Sequence, residues 1–433
     1  MERDAYRELL QWKRSGSRKP LILTGARQVG KTWLLKAFGK SEYKKTAYIN
    51  CEKTKAMKDI FLQDYDMERV IRVISALTEV DVEPENTLII LDEIQSIPDG
   101  ITSLKYFCED VPQYHVAAAG SLLGIGLHEK SSFPVGKVDT IQIFPMNFEE
   151  FVLAMGSINM LEILQKQDHS AMRSLEQQFV ELLRQYYFVG GMPAVVLSYS
   201  TGEGPNTIRS IQRQILLDYS EDFSKHAPVR EVPRINMVWR SIPSQLAKDN
   251  KKFIYGAIKR GARAKEFEIA IQWLIDMGLI YKVNRVKKPI LPLTFYEDIS
   301  AFKLYMLDCG LMGALSETPA GLILSGSSIF EEYKGAFTEL YVLQQMKSVD
   351  SIFVYYHSTD DSRTEIDFVV QKGEQVIPIE VKAEENLRSK SLRQYVSENS
   401  NLKGLRFSMS PCRDQGWMEN IPLYSVLSKL RSV

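Results

Sequence analysis

The stretch Gly25-Ala26-Arg27-Gln28-Val29-Gly30-Lys31-Thr32 decides how this sequence folds. It has the spacing G-x-x-x-x-G-K-[ST], in which glycines let successive backbone N–H groups surround phosphate oxygens at the start of a helix. Residues 19–24 before it, with the apolar run 21–23, predict a short buried strand, and residues 31–38 after it predict a helix. The sequence therefore predicts a strand, a phosphate-binding loop and a helix in succession.

This loop predicts a site for ATP and Mg²⁺. Lys31 is expected to reach the β- and γ-phosphates, and Thr32 is expected to hold the Mg²⁺ ion. The remaining residues of the loop are expected to surround the phosphates: Gly25, Ala26, Arg27, Gln28, Val29 and Gly30.

Carboxylates follow a second apolar run, residues 87–91, which ends in Asp92 and Glu93. Beside a phosphate-binding loop, Asp92 is expected to bind Mg²⁺ directly or through water, and Glu93 to polarise the attacking water. Without that loop, the pair would equally suit the start of a helix. Ser121 follows the next apolar run, residues 114–119, and is either a contact to the γ-phosphate or the water, or a helix N-cap.

The order of these runs predicts an α/β fold class. Buried strands that alternate with helical stretches favour a parallel sheet in an N-terminal ATPase core, residues 1–150. Helical periodicity then holds up to a turn cluster at residues 190–193, and residues 151–230 are assigned to a helical extension. Three helices followed by a two-stranded ribbon, with the second strand near residues 293–296, predict a winged-helix region at residues 231–300. A helix and meandering strands predict a separate α/β domain at residues 301–433.

The last domain carries a pattern of carboxylates that is typical of nucleases. Asp367 lies on one predicted strand, and Glu380 and Lys382 share a face of the next because side chains alternate along a strand. Asp367 and Glu380, with Glu339 from the preceding helix, could hold a Mg²⁺ that activates water, with Lys382 supplying positive charge. This arrangement resembles the core of the PD-(D/E)xK restriction-endonuclease-like superfamily. The alternative is a solvated β-hairpin.

Charge is unevenly distributed although 54 basic residues balance 54 acidic ones. Residues 251–290 contain ten lysines and arginines against three acidic residues, a net charge of +7, whereas residues 41–100 carry −6. The basic segment favours a nucleic-acid partner, with DNA preferred, and Tyr281 is expected to add contacts there. The alternatives are a solvated basic face and a face that meets an acidic ATPase domain of its own or a neighbouring chain.

Several classes of protein are disfavoured by composition. No run approaches the roughly 18 to 20 apolar residues of a membrane span, so we expect no membrane partner. The charged N-terminus lacks the features of a secretory signal, which favours a cytoplasmic location. The four cysteines are too scattered to indicate a disulfide framework or a zinc site.

Over nearly its whole length, the sequence resembles a family of bacterial and archaeal predicted AAA+-type ATPases with a C-terminal domain of unknown function. The points of match are 25–32, 91–95, 133–137, 145–151, 190–193, 218–222 and 365–368. The resemblance implies nucleotide binding, a winged-helix region and a restriction-endonuclease-like C-terminal fold. AAA+-type enzymes commonly use an arginine from a neighbouring subunit, which makes a homo-oligomer one expectation, but no motif identifies that arginine here.

These patterns lead to two functional hypotheses. The first is an ATP-binding and ATP-hydrolysing, DNA-associated enzyme in which the nucleotide state controls a C-terminal nuclease-like domain. The second is a nucleotide-dependent switch or scaffold that binds DNA or protein and has an inactive nuclease fold.

Overall fold

The computed structural model describes residues 2–61, 64–120, 133–248, 250–325, 328–360, 364–383 and 389–433, with side chains from residue 334 onward in the helix that spans 328–347. The chain divides into two compact units. The N-terminal unit comprises residues 2–144 with 276–278, and the C-terminal unit comprises residues 145–275 and 279–433.

The N-terminal unit contains a parallel five-stranded sheet with the order β2-β3-β4-β1-β5. Strand β1 is central and pairs with β4 on one side and β5 on the other. The strands are β1 (Leu21–Thr24), β2 (Lys45–Asn50), β3 (Thr87–Asp92), β4 (His115–Ala119) and β5 (Asp139–Gln142). The prediction of a parallel α/β sheet in this part of the chain is confirmed.

Helices of the N-terminal unit bury apolar faces against this sheet. They are α1 (Ala5–Arg14), α2 (Lys31–Glu42), α3 (Met67–Thr78) and α4 (Gly100–Glu109), with short 3₁₀ turns at Lys55–Met57 and Ile94–Ser96. Helix α3 illustrates the pattern, because Met67, Val70, Ile71 and Ile74 recur at helical spacing and are all buried in one core. Strand β3 is buried along its whole length, as expected for a strand covered on both faces.

The C-terminal unit begins with a helical stretch that packs through aromatic side chains. Phe148, Phe151, Tyr186 and Tyr341 are nearly fully buried and stack edge to face with ring centroids 5.3 to 6.0 Å apart. The helices of this unit are α5 (Phe148–Ala154), α6 (Ile158–Gln165), α7 (His169–Ser174), α8 (Glu176–Val189), α9 (Pro193–Ser200), α10 (Pro205–His226), α11 (Val232–Leu246), α12 (Tyr255–Ile258), α13 (Ala264–Asp276), α14 (Cys309–Leu315), α15 (Ala320–Ser325), α16 (Ser328–Lys347), α17 (Lys390–Glu398) and α18 (Val426–Ser432).

A mixed eight-stranded sheet completes the C-terminal unit, with the order β12-β13-β11-β10-β9-β8-β6-β7. Its strands are β6 (Ile280–Val286), β7 (Glu297–Met306), β8 (Ile352–Ser358), β9 (Glu365–Lys372), β10 (Gln375–Val381), β11 (Gly404–Ser408), β12 (Arg413–Asp414) and β13 (Met418–Pro422). The antiparallel pair β6 and β7 joins the other strands through a parallel contact between Arg285 and Tyr356. The predicted winged-helix and nuclease-like blocks therefore share one sheet.

The second strand of the predicted wing begins later than the sequence suggested. Residues Leu293–Tyr296 form a 3₁₀ turn, and β7 starts at Glu297. The turn follows Pro292, and the Leu293 side chain lies in an apolar core while its N–H donates to Gln371 Oε1 at 3.0 Å. The strand prediction for residues 293–296 is thus wrong, because Leu293 is held by the core instead of by a partner strand. The winged-helix assignment and the four domain boundaries stay predictions.

None of the helices in the described parts of the chain combines the length and the apolar character needed to cross a membrane.

Candidate functional site

The phosphate-binding loop joins β1 to α2, as predicted. Gly30 is the N-cap of α2 with φ 95°, and Gln28 has φ 66°, so the loop uses left-handed backbone twice. Gly25 has φ 133°, and a Cβ added there would lie 2.2 Å from the carbonyl oxygen of Ile143. The loop therefore needs glycine at its first position because the chain after β5 passes directly against it.

This close approach predicts a large effect of Gly25→Ala. The substitution combines an unfavourable φ with a backbone clash, and we expect it to lower the free energy of unfolding by about 2–4 kcal/mol. Gly16→Ala is the matched control, since no atom lies within 4 Å of the added Cβ. Urea unfolding of both variants tests this, and equal stabilities would show that the loop rearranges without cost.

Lys31 is held inside the loop. Its Nζ donates to the carbonyl oxygens of Gly25 and Ala26, each at 2.8 Å, and the side chain is buried. Burial lowers the pKa of Lys31 to about 8, although the nearby carboxylates of Glu93 and Asp92 oppose this shift. The ammonium is thus positioned at the start of the helix, where the phosphates of a nucleotide would be its counter-charge.

The lowered pKa of Lys31 predicts that ATP binding weakens in alkali. Above about pH 8 the nucleotide-free protein loses the Lys31 proton, which must be regained when the ammonium meets the phosphates. Between about pH 7 and pH 9.5 we expect the Kd for ATP to rise on the order of tenfold, with uptake of a proton on binding. Calorimetry in buffers of different ionisation enthalpy measures both quantities. A flat Kd over this range would mean that the Lys31 pKa is not lowered.

Thr32 and Asp92 come together at the end of β3. The Thr32 hydroxyl donates to both carboxylate oxygens of Asp92, each at 3.0 Å, and the Tyr48 hydroxyl donates to Asp92 Oδ2 at 2.9 Å. Burial raises the pKa of Asp92, whereas the hydrogen bonds from Tyr48 and Thr32 lower it. A hydroxyl and a carboxylate that converge in this way are oxygen donors of the type that Mg²⁺ prefers, so these residues fit the ion.

Tyr48 is a contributor that the sequence did not indicate. It lies on β2, which pairs with β3 in register, so that Tyr48 is the partner of Ile90. Its hydroxyl reaches the Asp92 carboxylate, and the Lys36 ammonium lies 3.5 Å from the centre of its ring. No motif marks such a tyrosine, because the contact depends on which strand lies beside β3.

Glu93 follows β3 in a left-handed conformation with φ 54°. Its Oε2 accepts a hydrogen bond from Gln95 Nε2 at 2.6 Å, and its charge interacts with Lys31. The structure therefore groups Lys31, Thr32, Asp92 and Glu93 at one edge of the parallel sheet. Ser121 lies outside the described residues, and its proposed contact with nucleotide stays a prediction. The roles assigned to the other loop residues also stay predictions.

Two of the three predicted carboxylates of the nuclease-like set interact in the C-terminal unit. Glu339 on α16 is buried and Asp367 on β9 is half-buried, and the two interact electrostatically. Burial, followed by the charge of Glu339, raises the pKa of Asp367 to about 7, while Lys303 and Lys251 act in the opposite direction. Burial would also raise the pKa of Glu339, but Lys251 and Lys303 outweigh it and hold that pKa below its usual value.

Glu380 and Lys382 have different partners. Lys382 Nζ lies 3.1 Å from Glu380 Oε1, and Glu380 is in register with Arg406 on the neighbouring strand β11. Among the described residues, no group of three or more His, Cys, Asp or Glu is arranged to hold a metal ion. The carboxylates as they stand do not fit Mg²⁺, and the roles of Glu339, Asp367, Glu380 and Lys382 in catalysis or metal binding stay predictions.

Two lysines beside these carboxylates were not identified from the sequence. Lys251 pairs with Glu339, and Lys303 pairs with Glu365. The sequence around Lys303 does indicate a buried ion pair, because this lysine interrupts the apolar run of residues 301–307 and a lysine in a buried strand is rarely without a partner. The sequence around Lys251 gives no such indication, because its contact joins positions far apart in the chain.

The basic segment 251–290 presents only part of its charge to solvent. Arg285 pairs with Asp298 at 2.6 Å and with Asp360 at 2.9 Å, and Lys251 forms an ion pair with Glu339. The exposed basic residues lie in two stretches: Lys259, Arg260, Arg263 and Lys265, and then Lys287 and Lys288. The expectation for Tyr281 is wrong, because this side chain is only 9% exposed and packs in the interior of the unit.

Comparison with family models supports an AAA-type ATPase in the N-terminal unit. Residues 17–152 match the AAA domain, which spans the loop and the Asp92–Glu93 pair. Residues 180–321 match one domain of unknown function, DUF8612, and residues 334–423 match another, DUF4143. No curated protein matches the chain. The winged-helix and restriction-endonuclease-like assignments therefore stay predictions.

Three solved structures are similar over part of the chain at 13% identity each. The Walker-type ATPase PABY2304 of Pyrococcus abyssi matches 73% of this chain and 95% of its own, with a TM-score of 0.46. The Orc1 protein of Aeropyrum pernix in complex with DNA matches 72% and 91%, and the RuvB Holliday junction branch migration motor of Thermotoga maritima matches 65% and 89%, both with a TM-score of 0.28. These TM-scores are too low for any conclusion to depend on them.

Proposed function

We propose that this chain binds and hydrolyses ATP at the loop of residues 25–32, associates with DNA, and couples the nucleotide state to the action of its C-terminal unit. The observation that carries the ATPase part is the hydrogen bonding of the Thr32 hydroxyl to both oxygens of Asp92 beside the buried Lys31. The match of residues 17–152 to the AAA domain supports it.

Each residue of the site has a distinct task in this proposal. Lys31 leaves the carbonyl oxygens of Gly25 and Ala26 and donates to phosphate oxygens instead. Thr32 and Asp92 would hold Mg²⁺, which supplies positive charge to the β- and γ-phosphates when bound. Glu93 accepts a proton from the attacking water or orients it, with Gln95 fixing one carboxylate oxygen.

DNA is the favoured partner because the exposed basic stretches 259–265 and 287–288 offer lysines and arginines to phosphates. In fluorescence anisotropy with labelled duplex and single-stranded DNA, we expect the affinity to differ between ATP-bound and ADP-bound protein. Replacing Lys259, Arg260 and Arg263 with alanine should weaken binding by on the order of tenfold at low salt and reduce the salt dependence.

A matched variant controls for the loss of three positive charges. Lys166 follows α6, and Arg173 and Lys225 lie on α7 and α10 of the same unit. All three are exposed and lie outside the basic segment, so their replacement with alanine should leave DNA affinity nearly unchanged. Equal losses in both triple variants would indicate non-specific attraction. DNA binding that ignores the nucleotide would contradict the coupling.

The proposal has two forms, which differ in whether the nuclease-like part of the C-terminal unit cuts DNA. Convergence of Glu339 and Asp367 from different elements favours a domain that cuts DNA under nucleotide control. The pairing of Glu339 with a lysine favours a switch or scaffold in which the fold only binds. Incubation with Mg²⁺, ATP and varied DNAs distinguishes them, because cleavage by wild type beyond that of Asp367→Ala supports the first form alone.

A further inference from the structure

A largely buried group of opposite charges lies where the sequence predicted a metal site. Its members come from separate parts of the C-terminal unit: Lys251 from the segment between α11 and α12, Lys303 and Tyr305 from β7, Glu339 from α16, and Glu365 and Asp367 from β9. Two ammonium groups thus face three carboxylates. Charges removed from water require partners of this kind, or a metal ion.

Both carboxylate oxygens of Glu339 have protein partners. Lys251 Nζ forms an ion pair with Oε1, while the Tyr305 hydroxyl donates to Oε2 at 3.0 Å. Lys303 Nζ lies 3.9 Å from Oε2. These contacts take the positions through which Glu339 would hold a divalent cation.

The neighbouring carboxylates are also engaged. Lys303 Nζ pairs with Glu365 Oε1 at 2.5 Å, and Asp367 Oδ2 accepts a hydrogen bond from the Val381 N–H at 2.7 Å. Asp367 interacts electrostatically with both Lys251 and Lys303. The negative charge that would attract Mg²⁺ is therefore largely balanced by the chain itself.

The two lysines differ in how firmly the fold holds them. Lys303 belongs to a strand of the eight-stranded sheet, and its side chain has no exposed surface. Lys251 belongs to the segment outside the sheet, and its side chain is 16% exposed. The fold thus encloses the Lys303 side chain completely and the Lys251 side chain less completely.

We propose that Lys251 is a tethered cation that takes the place of a divalent metal ion beside Glu339 and Asp367 and so keeps this carboxylate group closed to metals. A single positive charge on a flexible stem competes with a divalent ion for the same carboxylates, so removal of that charge favours the metal ion. The inference concerns metal access and does not depend on ATP hydrolysis.

Binding of Mn²⁺ to the full chain without nucleotide tests this, with free Mn²⁺ measured by electron paramagnetic resonance. Lys251→Met keeps the length of the side chain and removes its charge. We expect this variant to gain one Mn²⁺ per chain, at least tenfold tighter than any Mn²⁺ binding by wild type that depends on Asp367. The gain should disappear in the double variant Lys251→Met with Asp367→Asn, which leaves any Mn²⁺ at Thr32 and Asp92 unchanged.

Lys252→Met is the matched control, because it removes the adjacent positive charge, and it should bind Mn²⁺ as wild type does. Lys251→Gln provides a second neutral variant that still donates a hydrogen bond, and circular dichroism checks that each variant is folded. Asp367-dependent Mn²⁺ binding by wild type as tight as that of a neutral variant would overturn the proposal, and so would the absence of any gain. None of these Mn²⁺-binding measurements contains ATP or records DNA cleavage. A negative result would therefore count against the role of Lys251 without bearing on the proposed ATPase activity.

Discussion

Lys31→Ala is expected to abolish ATP binding in the range where wild type is saturated. The Lys31 ammonium already lies within the loop, 2.8 Å from two carbonyl oxygens that phosphate oxygens would replace. Two hydrogen bonds to charged phosphates at roughly 1.5 kcal/mol each correspond to a rise in Kd on the order of 100-fold or more. Calorimetric titration with ATP and Mg²⁺ measures this.

Lys40→Ala is the control for this prediction. Lys40 lies on the same helix, α2, and its side chain is exposed, so its removal changes the net charge equally without touching the loop. We expect its Kd for ATP to stay within about twofold of wild type, as for surface substitutions in general. If Lys31→Ala bound ATP as well as Lys40→Ala does, the site would lie elsewhere.

Glu93→Gln is expected to separate binding from hydrolysis. The amide has the size of the carboxylate but cannot take a proton from water, and loss of such a group typically lowers the rate 10²- to 10⁴-fold. Affinity for ATP should remain within about threefold of wild type, because Glu93 is not expected to contact the phosphates. Phosphate release in steady state and ATP titration together measure both effects.

Glu68→Gln makes the same chemical change on an exposed face of α3 and should hydrolyse ATP at the wild-type rate. Normal hydrolysis by Glu93→Gln would show that another residue activates the attacking water. Loss of binding together with hydrolysis would show instead that Glu93 holds the loop, for example through its charge interaction with Lys31.

The ATPase core could be predicted because its chemistry is encoded locally. A strand, a glycine loop and a helix follow one another in sequence, and the Asp92–Glu93 pair ends an apolar run. Parallel strands place their carboxyl ends at one edge, so the meeting of Thr32 with Asp92 follows from the pattern. Tyr48 escaped detection because its contact depends on the pairing of β2 with β3.

The C-terminal unit was predicted less completely because its contacts join distant positions. The strands that carry Asp367 and Glu380 were recognised from the sequence. The lysines that pair with the neighbouring carboxylates, Lys251 and Lys303, were not recognised. The charge of Lys251 was counted as part of a nucleic-acid surface, whereas the structure pairs it with Glu339, 88 positions away. Counting charges along a segment cannot separate exposed lysines from those that neutralise a buried carboxylate.

Some residues that resembled family signatures have structural roles instead. The backbone N–H of Gly191 donates to Asp308 Oδ2 at 2.6 Å, and its carbonyl accepts from the N–H of Met146. A Cβ at Gly191 would lie 2.1 Å from the carbonyl oxygen of Met146. The segments 145–151 and 190–193 thus meet through their backbones at Met146 and Gly191, where the close approach leaves no space for a side chain.

Steady-state ATP hydrolysis by the wild-type chain, measured with Mg²⁺ in the presence and absence of DNA, tests the central claim most directly. We predict Mg²⁺-dependent hydrolysis that is absent from Lys31→Ala and whose rate changes severalfold when DNA is added. Hydrolysis that DNA leaves unchanged would contradict the proposed coupling. A wild-type rate no higher than that of Lys31→Ala under every condition would contradict the assignment of an ATPase site to residues 25–32, Asp92 and Glu93.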